Sequence, residues 1–134
     1  GAFDESDVLQ EAYKFNVPLV SVPIDYSAVQ AGLSDVMAGL SLSGAPNVVL
    51  DTVKMAEDSP SCLVVRMYEA HGGHARASLS TRLNVTAAEK TNILEEKIEA
   101  LKVAPSTASF KGCKSIDIRF KPFEIITVKL VVKQ

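Results

Sequence analysis

The chain has 134 residues, 47% hydrophobic and 22% charged, enough to bury roughly 65–70% of its unfolded surface in one core. Its 14 basic and 16 acidic residues leave a formal net charge of -2, and neither sign forms a run, which argues against nucleic acid as a partner. No stretch approaches the ~20 apolar residues of a membrane helix, and the N-terminus lacks the basic and apolar regions of a signal peptide, so a soluble chain is expected.

A start at Gly1 rather than Met suggests a processed or cut chain, with residues 1–10 as a flexible lead-in. Residues 6–15 have room for one or two helical turns. Residues 16–24 should be extended, because Pro18 and Pro23 interrupt helical pairing. Residues 35–42 form a weaker strand candidate, and residues 47–55, Asn-Val-Val-Leu-Asp-Thr-Val-Lys-Met, a stronger one, closed by the turn-forming run Glu57-Asp58-Ser59-Pro60-Ser61.

The centre reads as a hairpin. Residues 62–70 and the strictly alternating residues 75–83 flank Gly72-Gly73, which can supply the positive φ values of a tight turn. Within the first arm, Arg66 and Tyr68 should share one face with Ala70 while Glu69 points the other way.

Residues 86–102 are ambiguous. Thr86-Ala87-Ala88-Glu89 resembles a capping box, and Ile93, Leu94, Ile98 and Leu101 fall near helical spacing. A loop followed by a strand through residues 92–101 is the alternative. Residues 105–109 look like a connecting loop. Ser115-Ile116-Asp117-Ile118-Arg119-Phe120 alternates as a half-buried strand with Ile116, Ile118 and Phe120 inward. After Lys121-Pro122 a last strand follows, with Ile126, Val128, Leu130 and Val132 on one face. Short strands about ten residues apart predict an all-β fold, an antiparallel β-sandwich of two sheets in a single domain over residues 1–134, with room for one short helix.

Chemistry is sparse. The two cysteines, Cys62 and Cys113, sit in no CxxC or Cys/His cluster and read as buried apolar residues in a reduced, cytoplasmic chain, with a Cys62–Cys113 bridge as the other reading. Asn84-Val85-Thr86 is a glycosylation acceptor only in a secreted protein. His71 and His74, the only histidines, flank Gly72 and Gly73, but no Cys or carboxylate is grouped with them in the sequence to complete a metal site. Glu57-Asp58 and Glu95-Glu96 are adjacent pairs whose side chains diverge in extended chain, so neither makes a two-carboxylate glycosidase site by itself. No GxSxG, phosphate-binding loop or dinucleotide fingerprint occurs.

Several stretches, taken in order, carry a family likeness: residues 11–19, residues 48–58, Val65-Arg66-Met67-Tyr68-Glu69-Ala70-His71-Gly72-Gly73, residues 92–96 and residues 120–130. Together they resemble the C-terminal region of glycoside hydrolase family 38, the α-mannosidases, most of all its cytosolic class. Residues 25–45 and 103–114 match poorly.

The resemblance implies a parent enzyme that removes α-linked mannose with retention, using zinc or cobalt and an Asp nucleophile in a catalytic domain outside this chain. The metal ligands and nucleophile of that domain have no counterpart here, so no catalytic, cofactor or metal residue is expected in the chain. It also implies that this end of the chain packs on the catalytic domain of the same polypeptide. The loop His71, Gly72, Gly73 and His74 is the candidate contact with that domain or with a mannose-containing glycan.

Overall fold

The computed structural model describes residues 3, 6–17, 20–21, 23, 39–105 and 113–133. The chain divides into two compact units, Gly1–Met37 and Ala38–Gln134. In the first, the expected short helix is α1, Val8–Asn16, with Glu11 in its first turn, Lys14 in its last and no buried residue. Of residues 16–24, expected to be extended, Asn16 is instead the last residue of α1, residues 17, 20, 21 and 23 are in neither helix nor strand, and residues 18, 19, 22 and 24 lie outside the described residues, as do residues 35–38 of the weaker strand.

Among its described residues the second unit has strands as its regular elements and no helix. Its elements are β1 Leu40–Ser43, β2 Val48–Met55, β3 Cys62–Glu69, β4 Ala75–Thr81, β5 Val85–Thr91, β6 Lys97–Leu101, β7 Ala104–Pro105, β8 Lys114–Phe120 and β9 Ile125–Val132. They form two antiparallel sheets, one ordered β1-β4-β8-β7 and the other β2-β3-β9-β5-β6.

Alternation within the strands builds the core between the sheets. Leu79, Ile116, Ile118 and Phe120 from the first sheet meet Val65, Met67, Ile126, Val128 and Leu130 from the second. Ile116, Ile118 and Phe120 are buried as their alternation requires. Ile126, Val128 and Leu130 are buried too, with Val132 packed against them. Full burial of each such side chain contributes about 1.5–3 kcal/mol. A smaller cluster of Ala56, Cys62 and Val64 packs with Val131. Both cysteines are free and buried, so the reading as small apolar residues holds and the Cys62–Cys113 bridge does not form.

Two expectations are corrected. β3 and β4 are not hairpin partners: β3 pairs with β2 and β9, whereas β4 pairs with β1 and β8 in the opposite sheet. Residues 70–74 are an arch between the sheets. Only Gly72 there has a positive φ, at 77°, so the twin positive-φ turn of a hairpin is absent.

Residues 86–102 are not helical either. They are the body of β5, a turn at residues 92–96, and β6, so the loop-plus-strand alternative holds only for residues 97–101, and the stretch it left as loop is strand. Pairing of β5 with β9 on one side and β6 on the other overrides weak helix propensity. The Asn92 side chain closes the turn by accepting from the Leu94 and Glu96 N–H groups at 2.9 and 3.0 Å. Pro105, expected to open a loop, instead pairs with Lys114 at a sheet edge, where a missing N–H costs nothing. Residues 106–109 lie outside the described residues.

Candidate functional site

The best-organised polar centre stands where β3 enters the arch. Glu69 continues the inward parity of Val65 and Met67 and is 1% exposed, a position at which a carboxylate must find donors. Four are in place. Its Oε1 accepts from the Asn47 side-chain amide at 2.8 Å and the His71 N–H at 2.9 Å. Its Oε2 accepts from the Gly72 and Phe123 N–H groups, both at 2.8 Å. Burial works to raise the Glu69 pKa, but the N–H groups of Phe123, His71 and Gly73 and the Asn47 amide outweigh it and hold the pKa at about 2.

The carboxylate thus ties three segments together: the residue before β2, the arch after β3, and the turn between β8 and β9. Backbone bonds run beside it, with the Glu69 N–H donating to the Glu124 carbonyl at 3.0 Å and the Ala70 N–H to the Asn47 carbonyl at 2.9 Å. Glu124 closes its own turn by accepting from the Lys121 N–H at 2.8 Å and from Lys90 Nζ at 3.1 Å. Burial opposes ionisation of Glu124, yet these donors and the two lysine charges lower its pKa. Phe123 sits in this turn with φ 56° and is 69% exposed.

The sequence-predicted loop is held by this centre. His71 and Gly72 donate backbone N–H groups to Glu69, their side-chain positions are half-buried, and His74 at the far end is exposed. Among the described residues no three His, Cys, Asp or Glu side chains lie close enough to hold a metal ion. Glu57-Asp58 and Glu95-Glu96 lie in loops instead of extended chain, and Glu57 and Glu95 come together between two of these loops. The Glu57 N–H donates to Glu95 Oε2 at 2.9 Å, and Lys54 Nζ lies 2.7 Å from Glu95 Oε1. Asp58 pairs with Lys129 at 2.6 Å. These carboxylates bind lysines and backbone instead of facing one another across a cleft.

Sequence reading placed Glu69 opposite Arg66 and Tyr68, and the structure agrees, but it passed over Glu69 as a centre. The signal available was a carboxylate at the inward parity of a strand.

Gly72 gives a separate test of this arrangement. A Cβ there would stand 2.7 Å from Phe123 Cζ, on a backbone at positive φ, whereas at Gly73 the nearest atom would be 3.7 Å away. Gly72→Ala is expected to cost about 2–4 kcal/mol from left-handed strain and displacement of the Phe123 ring, and Gly73→Ala less than about 1 kcal/mol. Urea denaturation of the two variants measures both, and equal costs would contradict the described geometry.

A two-sheet sandwich whose most elaborate polar centre is spent on its own backbone defines a scaffolding class of domain. The match is specific: residues 47–128 fit the model of the "Glycosyl hydrolases family 38 C-terminal beta sandwich domain", and the chain belongs to that family. It is 35% identical over 137 residues to human "Alpha-mannosidase 2C1" and 33% identical over 135 residues to the mouse protein of that name, with 99% of this chain covered in each. To "Alpha-mannosidase" of Saccharomyces cerevisiae it is 32% identical over 139 residues, with 93% of the chain covered. It spans 12% of the length of each of these relatives.

Proposed function

We propose that the chain is the non-catalytic C-terminal sandwich of an α-mannosidase and that it supports the catalytic domain of the same polypeptide. That domain would remove terminal α-mannose from glycans in the cytoplasm with a zinc or cobalt ion that this chain does not hold. The names of the relatives support the activity, and the small share of each that this chain spans supports a separate catalytic part. Among the described residues no helix is long and apolar enough to cross a membrane.

The observation that carries the scaffold reading is Glu69. A carboxylate with a pKa of about 2 stays ionised at neutral pH and cannot serve as a general acid, and its lone pairs are occupied by four donors 2.8–2.9 Å away. What it does is fix His71, Gly72, Gly73 and His74 as a preset contact for the neighbouring domain. The chain alone should release no measurable nitrophenol from an aryl α-mannoside that the complete enzyme cleaves. Robust turnover by the chain would refute this reading.

One observation favours a second role for the same loop, as a contact for a mannose-containing glycan. The exposed Phe123 ring lies against Gly72 and offers a face for a sugar to stack on. Mannobiose titration watched by NMR decides it, by shifts or no shifts at residues 71–74 and 123.

A further inference from the structure

On the outer side of the five-stranded sheet, Thr127 of β9 is in register with Arg66 of β3 and with Thr91 of β5. This row floors an open groove of about 500 Å³ walled by Ile93, Ile98 and Ile125, with Asn92, Lys90 and Glu124 also in its lining, the last two paired with each other at 3.1 Å. The three isoleucines are 78%, 60% and 66% exposed, and none belongs to either apolar cluster of the domain. They are branched aliphatic side chains grouped around one concavity, the arrangement of an interaction surface awaiting a cover. By contrast β1, β4, β7 and β8 carry no exposed large apolar residue among those described, and β1 and β4 pair serine with serine, Ser41 with Ser80 and Ser43 with Ser78.

Two polar groups in the floor are incomplete. Thr91 is 4% exposed, yet its hydroxyl has no hydrogen-bond partner among the described residues. Buried hydroxyls are seldom left so, because the unmade bond is costly. Arg66 donates through Nε to the Thr127 hydroxyl at a long 3.4 Å, and no carboxylate among the described residues pairs with its guanidinium. An arginine beside apolar walls is matched by a carboxylate carried on an apolar surface.

We propose that the groove receives a segment of the parent polypeptide outside this chain, in which an Asp or Glu meets Arg66 while flanking apolar side chains cover Ile93, Ile98 and Ile125. This rests on the reading of the chain as part of a larger α-mannosidase, whose relatives have seven-eighths of their length elsewhere, this chain spanning 12% of them. A sugar fits less well, since the sequence has no Trp and no aromatic side chain lines the groove. The partner contributes the anion and the aliphatic cover, and it supplies either a carbonyl or a donor to the Thr91 hydroxyl.

The test places a photo-cross-linking amino acid at position 98 of the complete enzyme and, as control, at position 76 on the outer side of the other sheet. Position 98 should cross-link within the molecule to a peptide outside residues 1–134 that contains an acidic residue among apolar ones, and position 76 should not. Arg66→Glu should cut the yield at position 98 at least fivefold, and Arg66→Lys less than twofold. Cross-links from position 76 and none from 98 would overturn the groove while leaving the scaffold reading intact. Cross-links from neither position would likewise overturn the groove, while the scaffold reading is judged separately by whether the complete enzyme needs this chain for activity. Cross-links only to a second copy, or ones that excess mannobiose erases, would reassign the groove and overturn the proposal.

Discussion

Replacing Glu69 with Ala lowers the unfolding free energy of the chain by about 3–5 kcal/mol, because it strands buried donors on three segments at once. The Asn47 amide and the N–H groups of His71, Gly72 and Phe123 all lose their acceptor, and water can replace only part of it. At about 4–8 °C per kcal/mol for a domain of this size, the melting temperature should fall by at least about 12 °C. Glu69→Gln keeps one acceptor oxygen but turns an NH₂ group toward the donors, so it should be destabilising by about 2–4 kcal/mol.

The same residue sets a pH dependence whose sign is fixed. Its pKa is about 2 in the folded chain against 4.5 for the free side chain, so its contribution is complete above about pH 4.5 and is lost as pH falls toward 2. The size is about 3 kcal/mol. Asp58, Glu95 and Glu124 are also lowered, so the wild-type curve alone does not isolate Glu69. The difference between wild type and Glu69→Gln, measured by urea unfolding at steps from pH 6 to pH 2.5, does. It should hold constant from pH 6 to about pH 4.5 and shrink below that, and a difference that stays constant down to pH 2.5 would show that Glu69 is not held as an acceptor.

Phe120→Ala should cost about 3–5 kcal/mol, the range for deleting a fully buried aromatic from a packed core. Phe120 is 2% exposed in the main cluster, while Phe123, three residues on, is 69% exposed, so Phe123→Ala should cost less than about 1 kcal/mol. Urea midpoints for the pair test the inward parity of β8 and the break that Pro122 imposes after it.

That parity was readable from the chain. The alternation through Ile116, Ile118 and Phe120 identified both a strand and its buried face, and the β-branched run from Ile125 identified β9. What could not be read was pairing. A two-glycine turn between alternating segments satisfies every local rule for a hairpin, but local rules do not record that β9 claims β3 while β8 claims β4. Residues 86–102 failed for a related reason. The helix-like spacing came from Ile93, Leu94 and Ile98, which are exposed around a turn instead of packed in a core, so their period reports something other than folding of this domain.

The candidate loop at residues 71–74 was visible through its glycines and histidines. Its keystone was not, because Glu69 draws on Asn47, 22 residues before it, and Phe123, 54 residues after it. No window of sequence contains that arrangement. The groove was equally hidden, since it exists only once β3, β9 and β5 lie side by side.

The most direct test of the scaffold reading is complementation between separately expressed parts of the enzyme, followed with an aryl α-mannoside. The remainder of the polypeptide alone should lose most of its activity, this chain alone should have none, and mixing should restore it in a saturable way. Full activity of the remainder without this chain, or mannoside cleavage by this chain alone, would contradict it.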